Sequence, residues 1–285
     1  MSIEYHCLVA GLPDLFFDAS KLSLSLTEFR DYLREELKGD DYNLIGSFFW
    51  RYDNQNLLAI LEEKEHVFHT KGNLSKEDFD SIFILVKDEA LHTYEKTVPD
   101  YFTQFINAYK SDSPAVAGIS WENQLTELYY NYLFTLPNEF LRLWYRFEAD
   151  LANILTAYNC KKFDINTENE LIGNNELSER LIKTNARDLG IGNEFPKAEQ
   201  LMRILEEPNL IEREKKIDLL KWDILDEWTF FYYFTIERIF SYMLKLEMIE
   251  RWTKLDRKTG EEMFNKLLNN LETSYTFPEE FSQKK

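Results

Sequence analysis

The sequence predicts an all-α fold, and three observations predict it. Only 9 glycines and 7 prolines punctuate 285 residues, far fewer turn residues than β-sandwiches or glycine-rich nucleotide folds consume. Helix-start signals stand before apolar runs of helical period at several points. The hydrophobic share is 44%, with 22 Phe, 16 Tyr and 6 Trp, and a chain of this length buries about three quarters of the surface its unfolded form exposes. An aromatic-rich helical core is therefore the expectation, and disorder is not.

Taken in order, the elements justify that class. The first apolar stretch, Tyr5 to Leu12, is halted by Pro13 and Asp14, and Glu4 stands where an export signal carries positive charge, so no export signal is expected. Ser75-Lys-Glu-Asp78 places a hydroxyl at a cap position and a carboxylate three residues on, which opens a helix. From Phe79 the apolar positions Ile82, Phe83, Val86, Ala90, Leu91 and Tyr94 follow one helical face, predicting a helix with a single buried stripe. Leu128 to Asn138 is the longest stretch without a charge; it is about half of the roughly 20 residues a spanning helix needs, and it contains Pro137. The asparagine-rich stretch Asn166 to Asn175 predicts a surface loop. Between Leu210 and about Leu255 no proline or glycine intervenes, and Trp228 to Ile236 is apolar on nearly every side. That pattern predicts one long central helix surrounded by protein. Thr259-Gly-Glu-Glu262 repeats the cap signal and opens a last helix.

Breaks are expected near Gly39 to Asp41, Gly72-Asn73, Pro99, Pro114, Gly173, Gly190 to Gly192, and Pro208. None resembles a flexible linker, so one compact body or directly packed modules are expected.

Charge and cysteine usage narrow the function. Lys and Arg total 33 against 51 Asp and Glu, a formal net charge of −18, and no basic run is long enough to form a phosphate-binding face, which argues against nucleic acid. Cys7 and Cys160 stand far apart without metal-site spacing and read as reduced cytosolic thiols. The expectation is a soluble cytoplasmic protein, with no direct membrane insertion, able to sit on a membrane complex.

A short pattern recurs along the chain. Asp53-Asn-Gln-Asn56-Leu57-Leu58 returns 97 residues later as Asp150-Leu-Ala-Asn153-Ile154-Leu155, and after another 97 as the weaker Glu247-Met-Ile-Glu250-Arg251-Trp252. In the same register Phe48, Tyr145 and Tyr242 precede the acid, and Lys64, Lys161 and Lys258 follow it. An acid and an asparagine three apart share a helical face, so the repeat is a helix with one buried edge. Three modules, 1–98, 99–195 and 196–285, fill the chain. The three acids forming one buried cluster is the less favoured arrangement; local helix-to-helix hydrogen bonds are the expectation.

With these residues in view the sequence resembles the C subunit of bacterial and archaeal V/A-type ATPases, called subunit d in eukaryotic vacuolar enzymes. It is most similar to the divergent group encoded with such ATPases in Bacteroidetes-like bacteria. The resemblance is carried by Tyr5-His-Cys-Leu-Val-Ala-Gly-Leu-Pro-Asp-Leu15, by the element at Asp53 with Lys64 after it, and by its copy at Asp150. It implies three related helical bundles in a pseudo-threefold, funnel-like arrangement, seated on the cytoplasmic face of the inner membrane. It further implies one copy per complex, partnered by the proteolipid ring and the central axle, passing torque between them with no catalytic site and no cofactor. The family-matching positions are Asp53, Asn56, Lys64, Asp150, Asn153, Lys161, Glu247 and Lys258. The third copy departs by losing both the asparagine and the apolar pair, and the overall charge is strongly acidic.

Two other readings stand beside it. A cytosolic helical scaffold or adaptor shares the fold class without the ring partner. A di-metal helical-bundle enzyme draws on Glu63-Lys-Glu-His66 and Glu89-Ala-Leu-His92, since Glu-x-x-His pairs on facing helices hold di-iron and di-manganese centres. The pairs are only 26 residues apart, and of the two further carboxylates such a centre takes, Asp31 or Glu35 suits one but no well-matched second is evident. His66 and His69 read as surface residues near a helix end. No nucleophile elbow and no P-loop occur. Arg213 to Lys216 is mixed in sign and reads as a solvated helix face, and the glycosylation sequon at Asn73 is irrelevant to a cytosolic chain.

Overall fold

A computed structural model describes residues 4–255 except 20, 185, 187, 193 and 194. The fold is all-helical: among the described residues there are eleven α-helices and no strand. They are α1 (His6–Gly11), α2 (Leu26–Glu36), α3 (Asp41–Leu61), α4 (Lys76–Lys87), α5 (Asp100–Lys110), α6 (Trp121–Leu133), α7 (Glu139–Phe163), α8 (Glu176–Lys183), α9 (Ala198–Leu205), α10 (Leu210–Trp228) and α11 (Ile236–Lys254). No helix among them is long and apolar enough to cross a membrane.

Several starts are set by side chains that take up free N–H groups of the first turn. Ser75 and Asp78 form a reciprocal capping box at α4, and Asn175 and Ser178 form another at α8. Ser120, Asn138 and Asn209 cap α6, α7 and α10. Proline stands before two of these, Pro137 ahead of Asn138 and Pro208 ahead of Asn209, and Pro99 itself occupies the cap position of α5. Every predicted break falls between helices. The cap signal at Thr259 and the residue Lys258 lie outside the described residues.

The chain divides into two units. The first joins Met1–Tyr32 to Tyr233–Lys285; there the Tyr5 N–H donates to the Phe234 carbonyl at 2.6 Å, Phe29 and Tyr242 meet edge to face at 5.1 Å, and the Tyr242 hydroxyl donates to the Pro13 carbonyl at 3.0 Å. The second, Leu33–Tyr232, is a helical array in which α6 packs against α3, α5 and α7, α7 also against α8, and α9 against α10. Its buried side chains include Phe48, Phe49, Phe102, Phe105, Trp144 and Tyr145, so aromatic rings form much of the core.

Two helix lengths differ from expectation. The helix begun at Lys76 stops at Lys87, where Glu89 turns left-handed (φ 55°) and the Ala90 N–H closes back to the Leu85 carbonyl at 2.8 Å. This closing turn habitually brings an apolar residue back onto the last helical turn. Ala90 and Leu91 thus keep helical spacing in sequence after the helix has ended.

The predicted single helix from Leu210 to Leu255 is two helices, broken over residues 229–235. Aromatic and β-branched residues lose side-chain freedom in a helix, and Thr229-Phe-Phe-Tyr-Tyr-Phe-Thr235 concentrates them. Far from being surrounded by protein, Phe230 and Phe231 are 64% and 81% exposed.

Candidate functional site

The repeated element sits on α3, α7 and α11, whose first residues are Asp41, Glu139 and Ile236, spaced by 98 and 97. Asn56 of α3 takes hold of the following loop at one residue: the His69 N–H donates to its Oδ1 at 2.8 Å, and its Nδ2 donates to the His69 carbonyl at 3.0 Å. Asn153 of α7 grips Ile172 the same way, with both bonds at 2.8 Å. Each asparagine is buried, and each loop then enters a capping box, at Ser75 and at Asn175. A backbone pair partly withdrawn from water needs partners, and a side-chain amide supplies the matching donor and acceptor.

Asp53 strengthens the first loop. Its carboxylate, fully buried, accepts the N–H groups of Asn73 at 2.7 Å and Leu74 at 3.0 Å. Asp150 does not repeat this; it is half-buried, and burial pushes its carboxyl above the ordinary value, with Arg146 opposing. Glu247 is also half-buried on α11, and Glu250, at the register of the asparagines, pairs with Lys254 at 3.0 Å. Lys64 lies on the surface against Glu62 at 2.7 Å, while Lys161 donates to the Thr184 carbonyl. Asp53 thus bonds to the loop that follows its own helix, where helix-to-helix hydrogen bonds are the expectation.

A second constellation lies between α3, α7 and α10, and its charged members are not singled out from sequence, although Phe48 and Tyr145 beside them are. Glu148 is buried and bridges Arg51 at 3.4 Å and Lys221 at 2.8 Å. Arg51 also lies over the Phe48 ring at 4.0 Å. Behind it the Tyr145 hydroxyl meets Ser47 Oγ at 3.0 Å and the Tyr129 hydroxyl donates to the Ser47 carbonyl at 2.9 Å. A cleft of about 250 Å³ opens beside this cluster, lined by Arg51, Asn54, Leu58, Leu125, Tyr130 and Glu148 among others. The signal that finds the pair is the repeat itself: Arg51 and Glu148 are 97 residues apart, two positions before the acids.

The electrostatics of this cluster suit bracing. Burial works against the Glu148 charge, but Lys221 and then Arg51 outweigh it and hold the carboxyl below its ordinary value. Burial pushes the Tyr129, Tyr130 and Tyr145 phenols up.

The Glu-x-x-His pairs are not on helical faces. Glu63 and Glu89 each adopt a left-handed conformation just past α3 and α4, φ 53° and 55°, and His92 lies in a short 3-10 turn. Their spacing therefore does not aim two ligands from one helix. No group of three or more His, Cys, Asp or Glu side chains suited to a metal occurs among the described residues. The His66 and His69 rings meet tilted, 4.9 Å apart, beside Asn56, and burial, with His66 and Lys71 nearby, lowers the His69 value.

A family model described as "Protein of unknown function (DUF2764)" matches residues 1–275, and the chain belongs to that family. No curated protein and no solved structure matches it.

Proposed function

We propose that the protein is a non-catalytic subunit of the central rotor of a V/A-type ATPase, coupling the membrane proteolipid ring to the central axle. On this reading one copy sits peripherally on the cytoplasmic face of the inner membrane, held there by the ATPase. The observation that carries the proposal is the recurrence, at 97 residues, of a long helix whose buried asparagine clasps the following loop. That recurrence adds to the family resemblance read from Asp53, Asn56, Lys64, Asp150 and Asn153.

The mechanics agree with such a role. A coupler has to transmit load without deforming, and close-packed interiors are stiff. Here loops are tied to helices by paired hydrogen bonds, and α3, α7 and α10 are cross-braced through Glu148. The acidic surface can steer basic partners into register.

The test is a tagged pull-down from mildly solubilised source membranes, with the eluate run on a native gel and identified by mass spectrometry. Proteolipid and axle subunits recovered at constant ratio are expected. Recovery of the tagged chain alone, while the ATPase itself stays assembled, overturns the reading in favour of a cytosolic scaffold.

A further inference from the structure

We propose that Phe230 and Phe231 form a docking knob for a protein partner whose surface offers an apolar cup rimmed by lysine or arginine. This goes beyond the rotor reading and does not depend on it.

The knob is built and held. Trp228, the last residue of α10, meets the Phe147 ring at 5.7 Å and the Trp144 ring at 6.4 Å. Thr229 is buried; both its N–H and its hydroxyl donate to the Leu225 carbonyl, at 3.0 and 2.6 Å. The Tyr232 N–H then donates to the Thr229 carbonyl at 3.0 Å, and the Tyr232 ring rests on Phe140 at 5.7 Å. The turn is therefore anchored on both sides of two residues that point away from the core. Phe230 and Phe231 sit edge to face at 5.0 Å and are 64% and 81% exposed. Isolated exposed apolar residues need no explanation, but two adjacent phenylalanines on an anchored turn form a patch. Aromatic anchors held rigid before binding dominate interface energetics because little ordering is left to do.

Charge decides the partner. Asp226 and Glu227 occupy the last turn of α10, which carries no basic residue, although carboxylates there oppose the negative end of the helix dipole. Lys197 pairs with Glu227 at 2.6 Å and with Asp223 at 4.0 Å, and those two carboxylate side chains stay 61% and 55% exposed. An anionic lipid surface is repelled by such a rim. A cationic protein rim relieves it while the phenylalanines fill an apolar cup, and cation–π contact with the rings adds to the attraction.

The experiment places the photocrosslinker p-benzoylphenylalanine at position 231 of the full chain in source cells, with a second probe at exposed Val67 as reference. The expected result is one protein adduct specific to position 231, its crosslinked peptide combining aliphatic residues with at least two lysines or arginines. Its yield falls roughly tenfold or more with Phe230→Ser, and falls again when salt is raised before irradiation. Unchanged thermal unfolding of Phe230→Ser confirms that the fold is intact. No adduct, a lipid adduct, a self-adduct or an adduct on an acidic peptide overturns the knob. An adduct on a basic-rimmed protein outside the ATPase sustains it and counts against the rotor reading.

Discussion

Asn56 and Asn153, 97 residues apart in sequence, perform the same operation: each holds both backbone polar groups of one loop residue, His69 in one case and Ile172 in the other. Asparagine inside a helix is a modest helix former, and the loop bond explains its place there. Removing either amide strands a part-buried N–H and a part-buried C=O, each costing about 1–2 kcal/mol. Asn153→Ala is expected to lower stability by about 2–4 kcal/mol, read as a fall in the urea midpoint at unchanged slope. Protease nicking within residues 164–175 should rise in parallel. A midpoint equal to wild type would show that the clasp contributes nothing.

How much of this is legible in the sequence follows from particular residues. The helical class, the breaks and the Ser75 capping box are written in local chemistry, which short-range hydrogen bonding reproduces. The asparagines show through because identical residues recur at one interval. Arg51 and Glu148 share that interval but have opposite charge, so a search for likeness passes over them while a search for complementarity finds them. The turn at Phe230 is hidden for another reason. An apolar run has the same appearance whether it faces a core or solvent, and only the path of the chain separates the two.

The Glu148 cluster should respond asymmetrically to substitution. Glu148→Gln leaves Arg51 and Lys221 without their shared counter-charge, and because water reaches both cations a loss of about 2 kcal/mol is expected, below that of a fully buried pair. Replacing all three by apolar residues of similar size, Arg51→Met with Glu148→Leu and Lys221→Met, should recover most of it, because the desolvation cost disappears with the charges. Chemical denaturation of the two variants decides. Equal losses in both would mean that the cluster stabilises the fold through its charges.

Two glycines of the first loop and helix should behave oppositely. A Cβ on Gly46, inside α3, would meet its nearest neighbour, Asn73 Oδ1, at an ordinary 3.8 Å, so Gly46→Ala is expected to stabilise by about 0.5–1 kcal/mol through helix propensity. A Cβ on Gly72 would stand 2.2 Å from Asp53 Oδ1, which forces the carboxylate off the backbone of Asn73 and Leu74. Gly72→Ala is expected to destabilise by about 2–3 kcal/mol. In the Gly72→Ala, Asp53→Ala double variant the losses should be less than additive, since both remove the same bonds. Full additivity would mean that the clash is relieved elsewhere.

Acid should weaken the fold through Asp78, the carboxylate of the α4 capping box. It accepts from the Ser75 N–H at 2.7 Å, from the Tyr94 hydroxyl and from Lys96. Burial alone would raise its value, but Lys96, Ser75 and Tyr94 together hold it down at about 2, against 3.8 for the free group. A depressed carboxyl contributes stability that is complete above the unfolded value and is lost as pH falls through the folded one. The loss therefore belongs between about pH 4 and pH 2. Lys96 is half exposed, so solvent screening trims the contribution to about 1–2 kcal/mol. Asp78→Asn keeps an acceptor for Ser75 and Tyr94 but removes the charge. It should be less stable than wild type by that amount at pH 7, and the gap should close as pH approaches 2. A gap that stays constant across this range would assign the effect to altered packing and not to the carboxylate's charge.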